Sequence, residues 1–444
     1  MTEPNPESGA ARPAAPRGTV DLMPDDVLRW RALERVAHDL FARYGYQELR
    51  TPLIEHTRLF VRSIGEVTDI VEKEMYTFGE GDDSVSLRPE GTASAVRAYL
   101  EHGCHQQARF QKWYYVGPMF RRERPQAGRQ RQFHQIGVEV LGSTDPLLDV
   151  EVMTLTCRFF DAIGLAGYDL AVNTIGDPAD RDRYREVLRT KLTPVRAALC
   201  ENCRRRFERN VFRILDCKEQ QCRDLCADLP PIDDCLSDAS RAHWQAVTAA
   251  LDASGLPHRV DPRLVRGFDY YTQTVFEVRH GALGARDAIC GGGRYDNLIA
   301  DLGGPALGAL GFGIGTEATL LAAEKTGAAL VAAQPPPRLD AFVVSITPDL
   351  RGRAYILVDQ LRQAGVAADM DHEERSPRKQ FRAANAIGAR VVVVLGPDEA
   401  ADEAVTVKNM ATGEEHTVAQ SGLVAAVADL LAADGANDAA GGMA

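Results

Sequence analysis

Residues 116–140 read VGPMFRRERPQAGRQRQFHQIGVEV, and the reading of this stretch decides the fold. It opens as a strand, passes through an arginine-rich loop and returns as a strand. Successive strand side chains face opposite sides, so Gln135, Gly137 and Glu139 share one face and Ile136, Val138 and Val140 the other. The apolar face requires a core. The opposite face offers an amide and a carboxylate with a glycine between them, which predicts a small ligand lying against the backbone. Between the strands Arg122, Arg124, Arg129 and Arg131 crowd one loop, and Arg121 stands at its mouth. Guanidinium groups suit phosphates and carboxylates. A half-buried hairpin with a solvated basic loop is the simpler alternative.

Outward from this hairpin, the 444-residue chain is long enough for two or three domains, each with its own core. Its hydrophobic content of 45% and charged content of 26% are those of a soluble globular protein. No apolar run approaches the roughly 18 residues of a membrane span, and the N-terminus lacks the apolar stretch of a secretory signal. Residues 1–17 and 435–444 read as disordered tails. The net charge of -12 argues against general nucleic-acid coating but not against a local basic patch. Nine cysteines without an export signal point to a reducing cytoplasm.

The segment FRRERPQAGRQRQFHQIGVEV, 120–140, resembles the second signature motif of class II aminoacyl-tRNA synthetases, in the form found in histidyl-tRNA synthetases. Other stretches resemble the same family in the same order. A helix is predicted over Asp25–Tyr44 from its apolar spacing, and the preceding RGTVDLMPDD is similar to the start of that family's catalytic domain. Residues 48–78 resemble its first motif, which implies a homodimer. In SLRPEGTASAVRAYL, 86–100, Glu90, Gly91 and Thr92 stand before a helix, where they can cap it or hold an ammonium group. The resemblance implies the second role, for the substrate's amino group.

RLVRGFDYYTQTVFE, 263–277, resembles a motif specific to histidyl-tRNA synthetases, which implies that Arg266 reaches the reacting phosphate and that Tyr270 and Tyr271 line the histidine pocket. AICGGGRYDNLIADLGG, 288–304, is its companion. It lacks the Lys-Ser/Thr end of a Walker loop, and its glycines are expected to let the backbone pass close to the amino acid. ALGFGIGTEATLL, 309–321, imitates a dinucleotide fingerprint but has Thr316 where the third glycine belongs. It resembles instead the third class II motif, with one departure: Ala318 stands where the family carries arginine, followed by Thr319 in place of a large aliphatic residue. A γ-phosphate clamp is missing there.

Residues from about 178 to 256 read as a helical insertion containing Cys200, Cys203, Cys217, Cys222, Cys226 and Cys235. A structural zinc site, buried free thiols and thiols that pair on oxidation all remain open. Only the first pair has a strong ligand spacing, and no metal ligand is assigned. QPPPRLD, from Gln334, marks a stiff linker. Beyond it strands and helices alternate as in a small α/β domain with parallel strands, similar to the anticodon-binding domain of class IIa synthetases. Arg375, Arg378, Lys379 and Arg382 gather near one helix start, either as phosphate contacts or as a solvated helix end.

The resemblance therefore implies an α+β catalytic domain on an antiparallel sheet (18–333), carrying the helical insertion, and an α/β anticodon-binding domain (338–434). It implies a cytoplasmic histidine–tRNA ligase that uses ATP, Mg²⁺, L-histidine and tRNA(His). By resemblance Arg121 and Arg266 act on the phosphates of ATP. Glu90, Gly91, Thr92 and Gln135 hold the amino end of histidine, and Glu139, Tyr270 and Tyr271 its ring. The rival is a non-charging paralogue, a histidine-binding regulatory subunit of ATP phosphoribosyltransferase. Ala318 favours that rival; Arg266 and the anticodon-type domain disfavour it.

Overall fold

The computed structural model describes residues 13–441 apart from 66–67, 69, 127, 285–286 and 333–338. The expected linker and most of the expected N-terminal tail lie outside the described residues. The chain divides into two compact units, Met1–Gln334 and Pro335–Ala444.

In chain order the strands of the first unit are β1 (Gln47–Glu48), β2 (Ile54–His56), β3 (Tyr76–Phe78), β4 (Val85–Leu87), β5 (Gln111–Phe120), β6 (Gln132–Leu141), β7 (Tyr168–Thr174), β8 (Arg259–Val260), β9 (Thr272–His280), β10 (Ala288–Arg294) and β11 (Ala309–Gly315). Eight of them form one sheet in the order β1-β5-β6-β11-β10-β9-β7-β8, and β2, β4 and β3 form a small second sheet. The large sheet is antiparallel from β5 to β7; short parallel pairs at both edges make it mixed.

One face of this sheet is covered. Ile136, Val138 and Val140 of β6 and Leu310, Phe312 and Ile314 of β11 enter a core with the helices Pro24–Arg43 and Pro146–Ala162. The first helix starts at Pro24, whose missing N–H costs nothing at that position. Its buried stripe is Trp30, Leu33, Ala37, Leu40 and Phe41. Burying Leu33 or Phe41 contributes about 1.5–3 kcal/mol each. Beneath the helix Pro146–Ala162 lies a buried ion pair. Arg294 contacts Asp149 closely and donates to the carbonyls of Ser143 (3.1 Å) and Asp145 (2.9 Å).

Between β7 and β8 the chain is helical, and among the described residues no strand interrupts it. This insertion has its own core, in which Cys203, Cys217, Cys222 and Cys226 pack with Leu188, Leu192 and Ile214.

The second unit holds β12 (Ala341–Ser345), β13 (Ala368–Met370), β14 (Val391–Leu395), β15 (Ala404–Asn409) and β16 (Glu415–Ala419), in the order β13-β12-β14-β15-β16. The first three are parallel, but β15 and β16 add an antiparallel hairpin that a reading as parallel strands alone omits. The final helix, Leu423–Gly441, continues through residues 435–441, where composition reads as a tail. Among the described residues no helix is long and apolar enough to cross a membrane.

Candidate active site

The opposite face of the large sheet packs a second, smaller core at Leu141, Ala171, Val275 and Ala309, and a glycine pattern of period two clears side chains from its middle. In β11 Gly311, Gly313 and Gly315 point away from the core that receives Leu310, Phe312 and Ile314. Strand register aligns these glycines with others. Tyr115, Gly137, Gly313, Gly291 and Glu277 form one row across β5, β6, β11, β10 and β9. Glu139, Gly311 and Gly293 form the next. The floor is bare backbone, and long side chains from elsewhere lie on it.

Three such side chains occupy the first row. A Cβ at Gly137 would lie 2.2 Å from Cζ of Tyr115, and one at Gly91 would meet the same ring at the same distance. The Tyr115 ring is thus clasped between two glycines. A Cβ at Gly313 would lie 3.2 Å from Nε2 of Gln135, and one at Gly291 only 1.9 Å from Nη2 of Arg266. This corrects two expectations. The space at Gly137 holds the Tyr115 ring rather than a free ligand surface. The glycine run 291–293 makes room for Arg266 at Gly291, and for Phe276 and a β11 carbonyl at Gly292.

Glu139 is fully buried and serves as the hub. Its Oε1 accepts from the Thr92 hydroxyl (2.8 Å) and the Tyr115 hydroxyl (3.0 Å), and the Tyr295 hydroxyl closes on Oε2. Burial pushes its carboxyl well above the ordinary range, with nearby Glu90 adding repulsion and Thr92 and Tyr115 opposing the rise. Tyr270 packs on Tyr271 (4.7 Å between centroids) and edge-on to Tyr295 (5.5 Å). Burial pushes the Tyr115 and Tyr270 hydroxyls well up. The result is an aromatic chamber around one carboxylate.

Glu90 takes the capping role. Its carboxylate accepts from the backbone N–H groups of Thr92 (2.6 Å) and Ala93 (2.9 Å), at the start of the helix Thr92–Glu101. Burial nevertheless raises its pKa. Arg121 lies alongside, donating from Nε to the Pro89 carbonyl (2.9 Å) and sitting over the rings of Phe133 (5.1 Å) and Phe268 (5.6 Å). Its pKa is lowered by burial, against the fields of Glu123, Glu74 and Glu90. Arg266 donates to Glu277 (2.8 Å) and faces the Tyr271 ring (5.8 Å), and its Nε is buried without a partner. Burial works against its charge, but Tyr271, Glu277 and Cys290 more than compensate.

The structure thus brings Glu90, Thr92, Arg121, Glu139, Tyr270, Tyr271 and Arg266 to one face, with half-buried Gln135 on the neighbouring glycine. Gly91 belongs there as the seat of Tyr115. Sequence reasoning missed Tyr115 and Tyr295, the two hydroxyls on Glu139. Their signal was available: Tyr115 is the cross-strand neighbour of Gly137, and Tyr295 stands two residues beyond the glycine run.

At the third motif Glu317 accepts from the backbone N–H of His134 (2.9 Å) and meets its Nδ1 (3.0 Å). Thr319 is buried and donates to the Gly315 carbonyl (2.8 Å). A Cβ at Gly128, in the arginine-rich loop, would be 3.6 Å from Cα of Ala318. The tip of that loop therefore rests on the position where arginine is absent. The insertion also reaches this face. Arg209 pairs with Glu72 (3.1 Å), and Asp269, next to Tyr270, accepts from Asn210 (3.1 Å). Within the insertion the sulfur atoms of Cys200, Cys203, Cys217 and Cys222 converge, which spacing alone did not establish.

Known proteins match this arrangement along nearly the whole chain. The family model for histidyl-tRNA synthetase matches residues 18–319, and the anticodon binding domain matches 340–430. A histidine–tRNA ligase of Halothermothrix orenii is 44% identical over 411 residues, 92% of this chain and 97% of its own. One from Picosynechococcus sp. is 45% identical over 409 residues, 92% of this chain and 95% of its own. The crystal structure of apo S. aureus histidyl-tRNA synthetase superposes with a TM-score of 0.76 at 37% identity, covering 93% of this chain and 99% of that one.

Proposed function

The chain belongs to the histidyl-tRNA synthetase family, and from that premise we infer that it ligates histidine to tRNA(His) on the glycine-floored face of its large sheet. The similarity to ligases over nine-tenths of the chain favours this reading over the regulatory paralogue. In the first step the carboxylate of histidine attacks the α-phosphorus of ATP. A mixed anhydride forms, the α–β phosphoanhydride bond breaks and pyrophosphate leaves. The nucleophile is already anionic, so no protein nucleophile or general base is needed. In the second step a ribose hydroxyl of the terminal adenosine of tRNA attacks the activated carbonyl, and AMP leaves.

Negative charge grows on the phosphate oxygens in the first step, and Arg121 and Arg266 answer it with guanidiniums held in place beforehand. Supporting this role, both lie half-buried on the same face as Glu139, and Arg266 has an uncommitted Nε. Glu139 accepts a ring N–H of histidine within the Tyr270–Tyr271–Tyr295 chamber, while Gln135, Thr92 and the remaining lone pairs of Glu90, beyond those that cap the helix, serve the amino end. Glu74 and Glu123, two of the three carboxylates whose fields reach Arg121, are hard oxygen donors suited to Mg²⁺. When bound, that ion neutralises phosphate charge.

Exposed Leu53, Ile54 and Phe78, at the small sheet in the first-motif region, support a homodimer. Exposed Arg378, Lys379 and Arg382 at the start of the helix Pro377–Ala386 offer phosphate contacts for tRNA, whereas Arg375 is committed to Asp371. The nine cysteines are all free, which supports a cytoplasmic location. The observation that carries the proposal is the buried carboxylate ringed by tyrosine hydroxyls beside two half-buried arginines. Charging of tRNA(His) with labelled histidine by purified protein tests it; histidine binding without charging would overturn it.

A further inference from the structure

We propose that the helical insertion holds a structural zinc ion on Cys200, Cys203, Cys217 and Cys222, a site independent of the active-site reading. The four sulfur atoms lie within 4.8 Å of one another, and those of Cys200 and Cys217 are 3.9 Å apart. Thiolates placed tetrahedrally at zinc–sulfur distances of about 2.3 Å are separated by about 3.8 Å. The cluster therefore has the size of an S₄ site, and its sulfurs are not bonded to one another. A soft, all-thiolate set of this shape selects zinc over the hard cations.

The surroundings fit a bound ion. Backbone N–H groups point at the sulfurs: that of Cys200 donates to Cys222 Sγ (3.2 Å) and that of Cys203 to Cys200 Sγ (3.4 Å). Such donors orient thiolate ligands and offset their charge. Cys200 also caps the helix Glu201–Arg209, so its sulfur faces the positive end of that helix. Cys203, Cys217 and Cys222 are buried within the core of the insertion. Binding releases four thiol protons and leaves two net negative charges in the site.

The fold around the cluster gives the metal a purpose. The segments Thr193–Ala198, Glu201–Arg209, Val211–Ile214, Gln220–Leu225 and Ile232–Cys235 are single turns or short helices. All are below the roughly 12–15 residues at which a helix begins to support itself. A metal held by Cys203 and Cys222 within two of these segments, and by Cys200 and Cys217 in the turns beside them, supplies folding energy directly. It also fixes the start of Glu201–Arg209, the helix at whose other end Arg209 meets Glu72 and Asn210 meets Asp269 beside Tyr270. The ion thereby anchors the strut between insertion and chamber.

Elemental analysis of the full-length protein, purified under reducing conditions, should find zinc in stoichiometric amount. Cys217→Ser and Cys222→Ser should lose it, whereas Cys226→Ser should keep it. Because loss of a ligand can unfold the insertion, the unaltered chain is also loaded with Co²⁺ in place of zinc. It should then show the thiolate-to-cobalt absorption of a tetrahedral sulfur site. Protein that folds metal-free and takes up neither Zn²⁺ nor Co²⁺ would overturn the proposal, as would metal retained after both ligand substitutions. Disulfides among the four cysteines in anaerobically prepared protein would also overturn it.

Discussion

Gly291→Ala should remove most histidine activation while leaving the fold in place. The added Cβ would stand 1.9 Å from Nη2, 2.4 Å from Cζ and 2.5 Å from Nη1 of Arg266. Methyl and guanidinium cannot share that space. The guanidinium is the far end of a flexible side chain, so it moves off the sheet and gives up its 2.8 Å pair with Glu277. The stability loss should be about 1–3 kcal/mol, as for other small-to-large changes. The loss in catalysis should be larger in its consequence: removing one preorganised donor from developing negative charge costs about 3 kcal/mol, or roughly 10²–10³ in rate. Histidine-dependent ATP–pyrophosphate exchange would be measured for Gly291→Ala, Arg266→Ala and the double variant, with thermal unfolding as a control. Both substitutions remove the same group, so the double variant should fall within about 0.5 kcal/mol of the worse single one. Parental exchange in Gly291→Ala, or penalties that multiply, would refute the placement of Arg266 as a phosphate donor.

Glu139→Gln should lower kcat/KM for histidine by about 10–100-fold, the worth of a charge-assisted hydrogen bond; steady-state kinetics with unchanged ATP affinity would check this. Arg294→Met strands Asp149 in the core and should cost about 3–5 kcal/mol in denaturant unfolding. Burial opposes the charge of Asp149, but Arg294 and His243 outweigh it and hold its pKa below the ordinary value. Its stabilisation is therefore complete above the unfolded-state pKa and is lost as pH falls through the lower folded-state value. Asp149→Asn should flatten that acid limb of the stability profile. Ile54→Asp should convert a dimer to monomer in light scattering; an unchanged dimer would exclude this surface from the interface.

Much of the site was legible because β-strands write their two faces in alternation. Ile136, Val138 and Val140 announced a core, and Gln135 and Glu139 the opposite face. The same period was present in ALGFGIG, where it can be mistaken for a nucleotide fingerprint. Only the sheet order reveals that Gly313 aligns with Gly137 and Gly291. Local pattern could not say what fills the missing side-chain space, because Tyr115 and Arg266 arrive from other strands and loops. The capping of the helix by Glu90 was a stated alternative, and the backbone N–H groups of Thr92 and Ala93 take that option. In the second unit β15 and β16 follow the clear parallel pattern and were passed over. The cysteine cluster stayed ambiguous for a related reason: turns, not a motif, bring Cys217 and Cys222 to the CxxC pair.

Histidine should be activated despite Ala318, which histidine-dependent ATP–pyrophosphate exchange by the unaltered protein would measure. An Ala318→Arg variant and a histidine-binding measurement accompany the assay. The parent should exchange, with the arginines of the sheet face sufficing for the phosphates. Exchange in the variant alone would mean a synthetase scaffold disabled at that position. Silence from both proteins, with histidine still bound, would overturn the ligase reading and leave a histidine-binding protein.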